Sequence, residues 1–132
     1  MNLKLILKIN KMALVNQYLK LTEKYKEEYG EKTVLLMQVG AFYEMYGLRE
    51  PNSDKIVGSS ILEFSKLCDL AISDKKNCVG KRNVMMAGFR DYNLDKYVNK
   101  IQQNNYTTVV YSQDEKAAGT TRSLTGIYSP GT

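Results

Sequence analysis

The stretch Val34-Leu35-Leu36-Met37-Gln38-Val39 is a short, nearly continuous apolar run rich in β-branched and long aliphatic side chains. A run of that length and composition is a central strand buried on both faces, so the rest of the chain has to cover it from two sides. Gly40 ends it, and Phe42 to Tyr46 reads as the adjoining strand. Ahead of it, Leu14, Tyr18, Leu21, Tyr25 and Tyr29 recur at steps of three and four, which paints one face of an α-helix that Gly30 stops.

Beyond the second strand, Glu50 to Gly58 carries Pro51, Asn52 and Ser53 and reads as a connection. Ser60 followed by Glu63 has the spacing of a capping box, with Ile61, Phe64, Leu67 and Cys68 as the apolar side of the helix it opens. Ala71 to Ser73 is expected as a short strand, and Asp74 to Asn83 as a polar loop around Gly80. That loop gathers Lys75, Lys76, Lys81 and Arg82, the densest basic cluster in the chain. Val84 to Met86 reads as another short strand. Asp91 is placed to cap a helix whose Leu94, Tyr97, Val98 and Ile101 share a stripe, closed by Asn104 and Asn105. Tyr106 to Tyr111 is strongly β-prone, and Arg122 to Tyr128 adds a last strand after a polar stretch containing Gly119. This order of elements predicts an α+β domain, a mixed β-sheet flanked by helices.

With 132 residues the chain has the size of one domain, long enough to bury roughly two thirds of the surface of its unfolded form. Residues 1–11, alternating Leu and Ile with Lys4, Lys8 and Lys11, read as a basic and apolar N-terminal extension, and residues 12–132 as the domain proper. The extension lacks the cleavage site of an export signal, and no run reaches the roughly 20 apolar residues of a membrane span, so no membrane partner is expected.

There is no histidine, which closes Ser/His, Cys/His and His-ligand metal chemistry together. Cys68 and Cys78 cannot make a four-ligand zinc site by themselves and read as unpaired thiols of a reducing compartment. The net charge of +5 favours a polyanionic partner without proving one.

The most informative stretch is Gln38-Val39-Gly40-Ala41-Phe42-Tyr43-Glu44-Met45-Tyr46-Gly47. A glycine there permits an abrupt turn just before an aromatic pair and an acid. In the strand that leaves the turn, Phe42 and Glu44 point to one face and Tyr43 to the other. Read without a family, Phe42 is most simply core and Glu44 a solvated edge charge.

The stretch resembles the GxFYE motif of the MutS mismatch-repair family. Met86-Ala87-Gly88 resembles the family's Met-Ala-Gly turn, Gln113 fits, and Ser129-Pro130-Gly131-Thr132 resembles the Thr-Pro-Gly-Thr that closes the family's first domain. The resemblance covers roughly Met12 to Thr132. Ala41 replaces a common Asp, Arg90 stands where a proline often follows the Met-Ala-Gly, and Tyr92 takes a position often held by histidine. These departures point to a divergent branch, viral or organellar.

The resemblance implies a mismatch-recognition domain that is not itself an enzyme. The aromatic at the position of Phe42 stacks on a mispaired base from the minor groove, and the acid at the position of Glu44 hydrogen-bonds that base. It also implies intracellular, DNA-associated work on duplex DNA with mismatches, a second MutS-like subunit in the full-length dimer, and no cofactor in this chain. ATP and Mg²⁺ belong to an ATPase domain that this chain lacks, since it contains no Gly-x-x-x-x-Gly-Lys-Ser/Thr loop. Lys75, Lys76, Lys81, Arg82 and Arg90, with Lys96 as a further candidate, are expected at the DNA backbone. Two other readings remain open: a metal-dependent nuclease using Asp69, Asp74 and Lys76, and a protein-interaction module anchored by Phe42 and Tyr43.

Overall fold

The computed structural model describes residues 2–114 and 121–130. Gly119 in the polar stretch before the last strand, and Gly131 and Thr132 of the Ser-Pro-Gly-Thr motif, lie outside the described residues.

The apolar run is strand β1 (Thr33–Val39), and residues 33–37 are all buried. It pairs antiparallel with β2 (Phe42–Arg49) and parallel with β6 (Thr107–Gln113), so it is interior to a mixed sheet. With β3 (Ile56–Val57), β4 (Ser73–Val79), β5 (Arg82–Arg90) and β7 (Arg122–Tyr128), the sheet has the order β4-β5-β2-β1-β6-β7, and β3 pairs with β2. Helices α1 (Leu3–Tyr29), α2 (Ile61–Cys68) and α3 (Leu94–Gln103) complete the expected α+β architecture.

One face of the sheet is covered by α1. The Tyr18 hydroxyl donates to the Leu35 carbonyl at 2.8 Å, and its ring meets Tyr46 edge-on at 5.3 Å. The other face is closed by a chain of aromatic contacts. Tyr43 on β2 stacks with Phe89 on β5, and Phe89 packs against Phe64 of α2 and Tyr97 of α3. The alternation of strand side chains makes both layers possible, because Tyr43 and Tyr46 fall on opposite faces.

The residues of the N-terminal extension run into α1 as one helix, whose Asn2 side chain caps the Leu5 amide at 2.8 Å. Several other local expectations are corrected. Asp74–Asn83 is no loop: β4 and β5 form a hairpin whose turn is Gly80-Lys81, with Gly80 at φ 63°. Polarity misled there, because an edge strand carries charged side chains without loss of pairing and is protected by them from joining other sheets. The Asp74 carboxylate also ties the hairpin together, accepting from the Lys76 amide at 2.8 Å and from Asn83 at 3.0 Å. These bonds hold its pKa below the usual carboxylate range.

No capping box forms at α2, since the Ser60 hydroxyl turns to the Glu31 carbonyl at 3.5 Å. Nor does Asp91 cap α3. It opens a 3-10 turn over residues 91–93, and its amide donates to the Ala41 carbonyl at 2.9 Å. The connection after β2 contains the two-residue β3. Both cysteines are free thiols, Cys68 buried and Cys78 exposed, and burial pushes the Cys68 thiol up to about 11.

Met86-Ala87-Gly88 is not a turn but the middle of β5, opposite Tyr46, Met45 and Glu44. Gly88 permits the approach of the two strands. A Cβ there would lie 2.8 Å from the Tyr43 carbonyl oxygen and 3.2 Å from Glu44 Cγ. Gly88→Ala should therefore destabilise the domain by about 1–3 kcal/mol, as overpacking against a backbone atom does. The check is the midpoint of denaturant unfolding; an unchanged midpoint would mean that the strands part at no cost.

Candidate nucleic-acid interface

The turn between β1 and β2 is set by Gly40, at φ 60°. It is held from several sides. The Gly40 amide donates to Gln113 Oε1 at 2.9 Å, Gln38 Oε1 accepts from the Gln113 amide at 2.8 Å, and Arg122 Nε donates to the Gln38 carbonyl at 2.6 Å. The Asp91 amide fixes Ala41 on the other side. The turn is thus tied to β6, β7 and the start of the α3 segment, a rigid pedestal for the first residue of β2.

That residue is Phe42, 42% exposed, while its neighbours Tyr43 and Glu44 are only 6% and 8% exposed. The expected alternation holds: Phe42 shares the α1 face with Glu44, and Tyr43 turns to the opposite face, its hydroxyl 2.8 Å from that of Ser112. The Arg90 guanidinium lies 5.1 Å from the Phe42 ring centroid, and the two residues are register partners. A cation held there stiffens an exposed ring. Phe42 is therefore not core, and Glu44 is not a solvated edge charge.

Glu44 sits in a short polar chain. Lys11 Nζ donates to the Tyr46 hydroxyl at 2.9 Å, and that hydroxyl donates in turn to Glu44 Oε1. The Lys11 ammonium stands 3.6 Å from the same oxygen and 4.9 Å from the Tyr46 ring centroid. Burial lowers the pKa of Lys11 against the opposing pull of Glu44. Burial, with the Glu44 charge next, drives the Tyr46 hydroxyl far above its ordinary value. Burial also lowers the Arg122 guanidinium, which Tyr46 and Glu44 oppose.

Sequence reasoning missed Lys11, Tyr46, Gln38 and Arg122 here. By sequence Lys11 belongs to the extension, and Tyr46 reads only as strand. Only the period-two spacing of Phe42, Glu44 and Tyr46 was a signal that the three share a face.

The basic candidates separate. Arg90 stands beside Phe42. Arg82 begins β5 and Lys81 stands in the turn before it, both far from Phe42, since Asn83 opposes Arg49 while Arg90 opposes Phe42, a spacing of roughly 23 Å along the strand. Arg82 is also paired with Glu50 at 3.0 Å. Lys75 and Lys76 are on β4, and the Lys75 charge reaches Lys11. Lys96 rests over the Tyr97 ring at 5.2 Å.

The nuclease reading finds little support, because both Asp74 oxygens are engaged by Lys76, Asn83 and Arg49, and the described residues contain no cluster of three or more potential metal ligands. Asp69 is the left-handed residue that ends α2. Tyr43 is buried and cannot act as an exposed anchor beside Phe42. No helix among the described residues is long and apolar enough to cross a membrane.

Residues 12–132 match the family model MutS domain I. The chain is 30% identical over 92% of its length to a putative DNA mismatch repair protein, a mutS homolog of Acanthamoeba polyphaga mimivirus, of which it covers 11%. It is 30% identical over 96% of its length to the DNA mismatch repair protein MutS of Caldanaerobacter subterraneus, covering 13% of it. It is 24% identical over 86% of its length to the mitochondrial DNA mismatch repair protein mutS homolog of Sarcophyton glaucum, again covering 13%. The chain thus spans about an eighth of the length of these relatives. It belongs to the MutS domain I family.

The geometry separates the two aromatics of the motif. Phe42→Ala should change stability by under about 1 kcal/mol, since it removes an exposed ring. Tyr43→Ala should cost about 3–5 kcal/mol through the cavity it leaves. Urea unfolding of the two variants checks this; equal costs would place Phe42 in the core.

Proposed function

We propose that this MutS domain I probes duplex DNA for mismatches, inserting Phe42 from the minor groove and offering Glu44 as hydrogen-bond partner to the mispaired base. The observation that carries the reading is the exposed Phe42 ring at the tip of a turn anchored by Gln113, Gln38 and Asp91, while every other residue of β2 from Tyr43 to Leu48 is buried.

Prying apart a base step costs a few kcal/mol and kinks the duplex, and a mismatch lowers that cost because its pairing and stacking are already poor. Stacking on an aromatic ring returns on the order of 1–3 kcal/mol whichever base it meets. Discrimination then comes from the deformability of the site rather than from its sequence. An ionised carboxylate beside the ring opposes approach to ordinary duplex, because phosphates repel it and closing the groove strips its water. At a mismatch an exposed base N–H donor restores a hydrogen bond.

Arg90 is the cation best placed to meet DNA together with Phe42, and a narrow minor groove attracts such a group. Lys75, Lys76 and Lys81 on the β4–β5 hairpin supply backbone contacts further along the duplex. Arg82, engaged by Glu50, contributes least. The domain binds and does not catalyse. A full-length protein would add ATP and Mg²⁺ in a separate ATPase domain, and a second MutS-like subunit, acting inside the cell wherever its DNA is kept.

The deciding measurement is binding of wild type and Phe42→Ala to a G·T-mismatched and a matched duplex at fixed low salt. Loss of mismatch preference in Phe42→Ala is expected; equal binding of both duplexes by both proteins would reduce the domain to a nonspecific DNA-binding module. Arg90→Ala should also flatten the plot of log affinity against log salt by about 0.9, the effect of one phosphate contact. Arg82→Ala should leave that slope unchanged, and the reverse pattern would move the backbone contact to the hairpin turn.

A further inference from the structure

We infer that Lys11 is a specificity-determining residue that acts through Glu44: its ammonium partly neutralises the carboxylate and thereby limits the penalty that ordinary duplex DNA meets at the Phe42 face. The inference rests on the proposed role of Glu44 and adds a residue that the family pattern does not reach, since the matched stretch begins one position later, at residue 12.

Three contacts carry it. Lys11 Nζ is 3.6 Å from Glu44 Oε1, donates to the Tyr46 hydroxyl at 2.9 Å, and lies against the Tyr46 ring, while Tyr46 donates onward to the same carboxylate oxygen. The side chains are largely enclosed, Lys11 25% and Glu44 10% exposed, so the pair is poorly screened by salt. The other charged and titratable groups acting on this pair come from three elements: Tyr46 on β2, Lys75 on β4 and Arg122 on β7.

Two consequences follow from elementary electrostatics. The Lys11 charge cancels part of the Glu44 field at the surface where phosphates approach, which eases binding of any duplex. The Tyr46 hydroxyl and the ammonium also occupy Oε1, so that a base donor competes for an acceptor already in use. Without Lys11, matched DNA meets a carboxylate whose charge is less compensated, held by the Tyr46 hydroxyl and the Arg122 charge, and has no donor to offer it. A mismatched base offers a donor, so it loses less.

The test is a double-mutant cycle in the 132-residue chain, with Lys11→Met, Glu44→Gln and both together, each titrated with G·T-mismatched and matched duplexes at fixed low salt. Lys11→Met should weaken binding to both duplexes but raise the mismatch preference roughly three- to tenfold, the size of a contact-pair coupling. In the Glu44→Gln background it should leave the preference unchanged, and Lys11→Arg should restore wild-type behaviour. An equal change of preference in both backgrounds, or no change in either, overturns the inference: Lys11 would then be a phosphate contact or a helix residue only. Unfolding midpoints measured alongside separate a loss of fold from a loss of coupling. If Glu44→Gln alone leaves the preference intact, the role of Glu44 falls and the inference with it, an outcome distinct from an active Glu44 that is uncoupled from Lys11.

Discussion

Burial of β1 on both faces is the constraint from which the rest of the structure follows. Residues 33–37 have no exposed side chain, so one layer must cover each face, and α1 on one side and the aromatic chain through Phe89, Phe64 and Tyr97 on the other supply them. With β6 hydrogen-bonded on one edge, β2 takes the other and returns antiparallel through Gly40. Burial falls off toward the end of β1, where Gln38 and Val39 are only half-buried and Ala41 is exposed. Phe42 therefore emerges where neither helix layer reaches, on a turn fixed by backbone and amide hydrogen bonds rather than by its own packing.

The same geometry governs the electrostatics of the site. Glu44, two residues further in, is already under α1, and a carboxylate taken out of water needs donors or a counter-charge. Tyr46 and Lys11 provide both. The helix that covers the sheet thus also sets the charge presented beside the exposed ring. Close strand approach at Gly88 keeps the Glu44 stem against β5, which limits the positions its carboxylate can take. The result is an exposed ring on a fixed turn, next to a carboxylate already engaged by a hydroxyl and an ammonium.

Much of this was legible in the residues. The double-faced strand, the glycine turn, the same-face placement of Phe42 and Glu44, and the amphipathic helices all follow from local pattern, because strand period and helix period are properties of the backbone. The hairpin of β4 and β5 was not legible, since polar edge strands have the composition of loops. The caps at Ser60 and Asp91 also failed as expectations. The Ser60 hydroxyl found its partner far along the chain, at the Glu31 carbonyl, and Asp91 opens a 3-10 turn ahead of α3, tied through its amide to Ala41; no local signal announces either contact.

By itself, then, the sequence determined the α+β class, the central strand, the position of the turn and the shared face of Phe42 and Glu44, whereas the exposure of Phe42 came only from the fold. The tertiary structure alone decided that Glu44 is enclosed rather than solvated, that Lys11 from the N-terminal segment closes over it, and that Arg90, and not the denser basic cluster near Gly80, stands beside Phe42. Those relations depend on strand register and on the path of α1 across the sheet. Both are fixed by the global requirement to cover β1, which brings together residues 33 and more positions apart, such as Lys11 and Glu44.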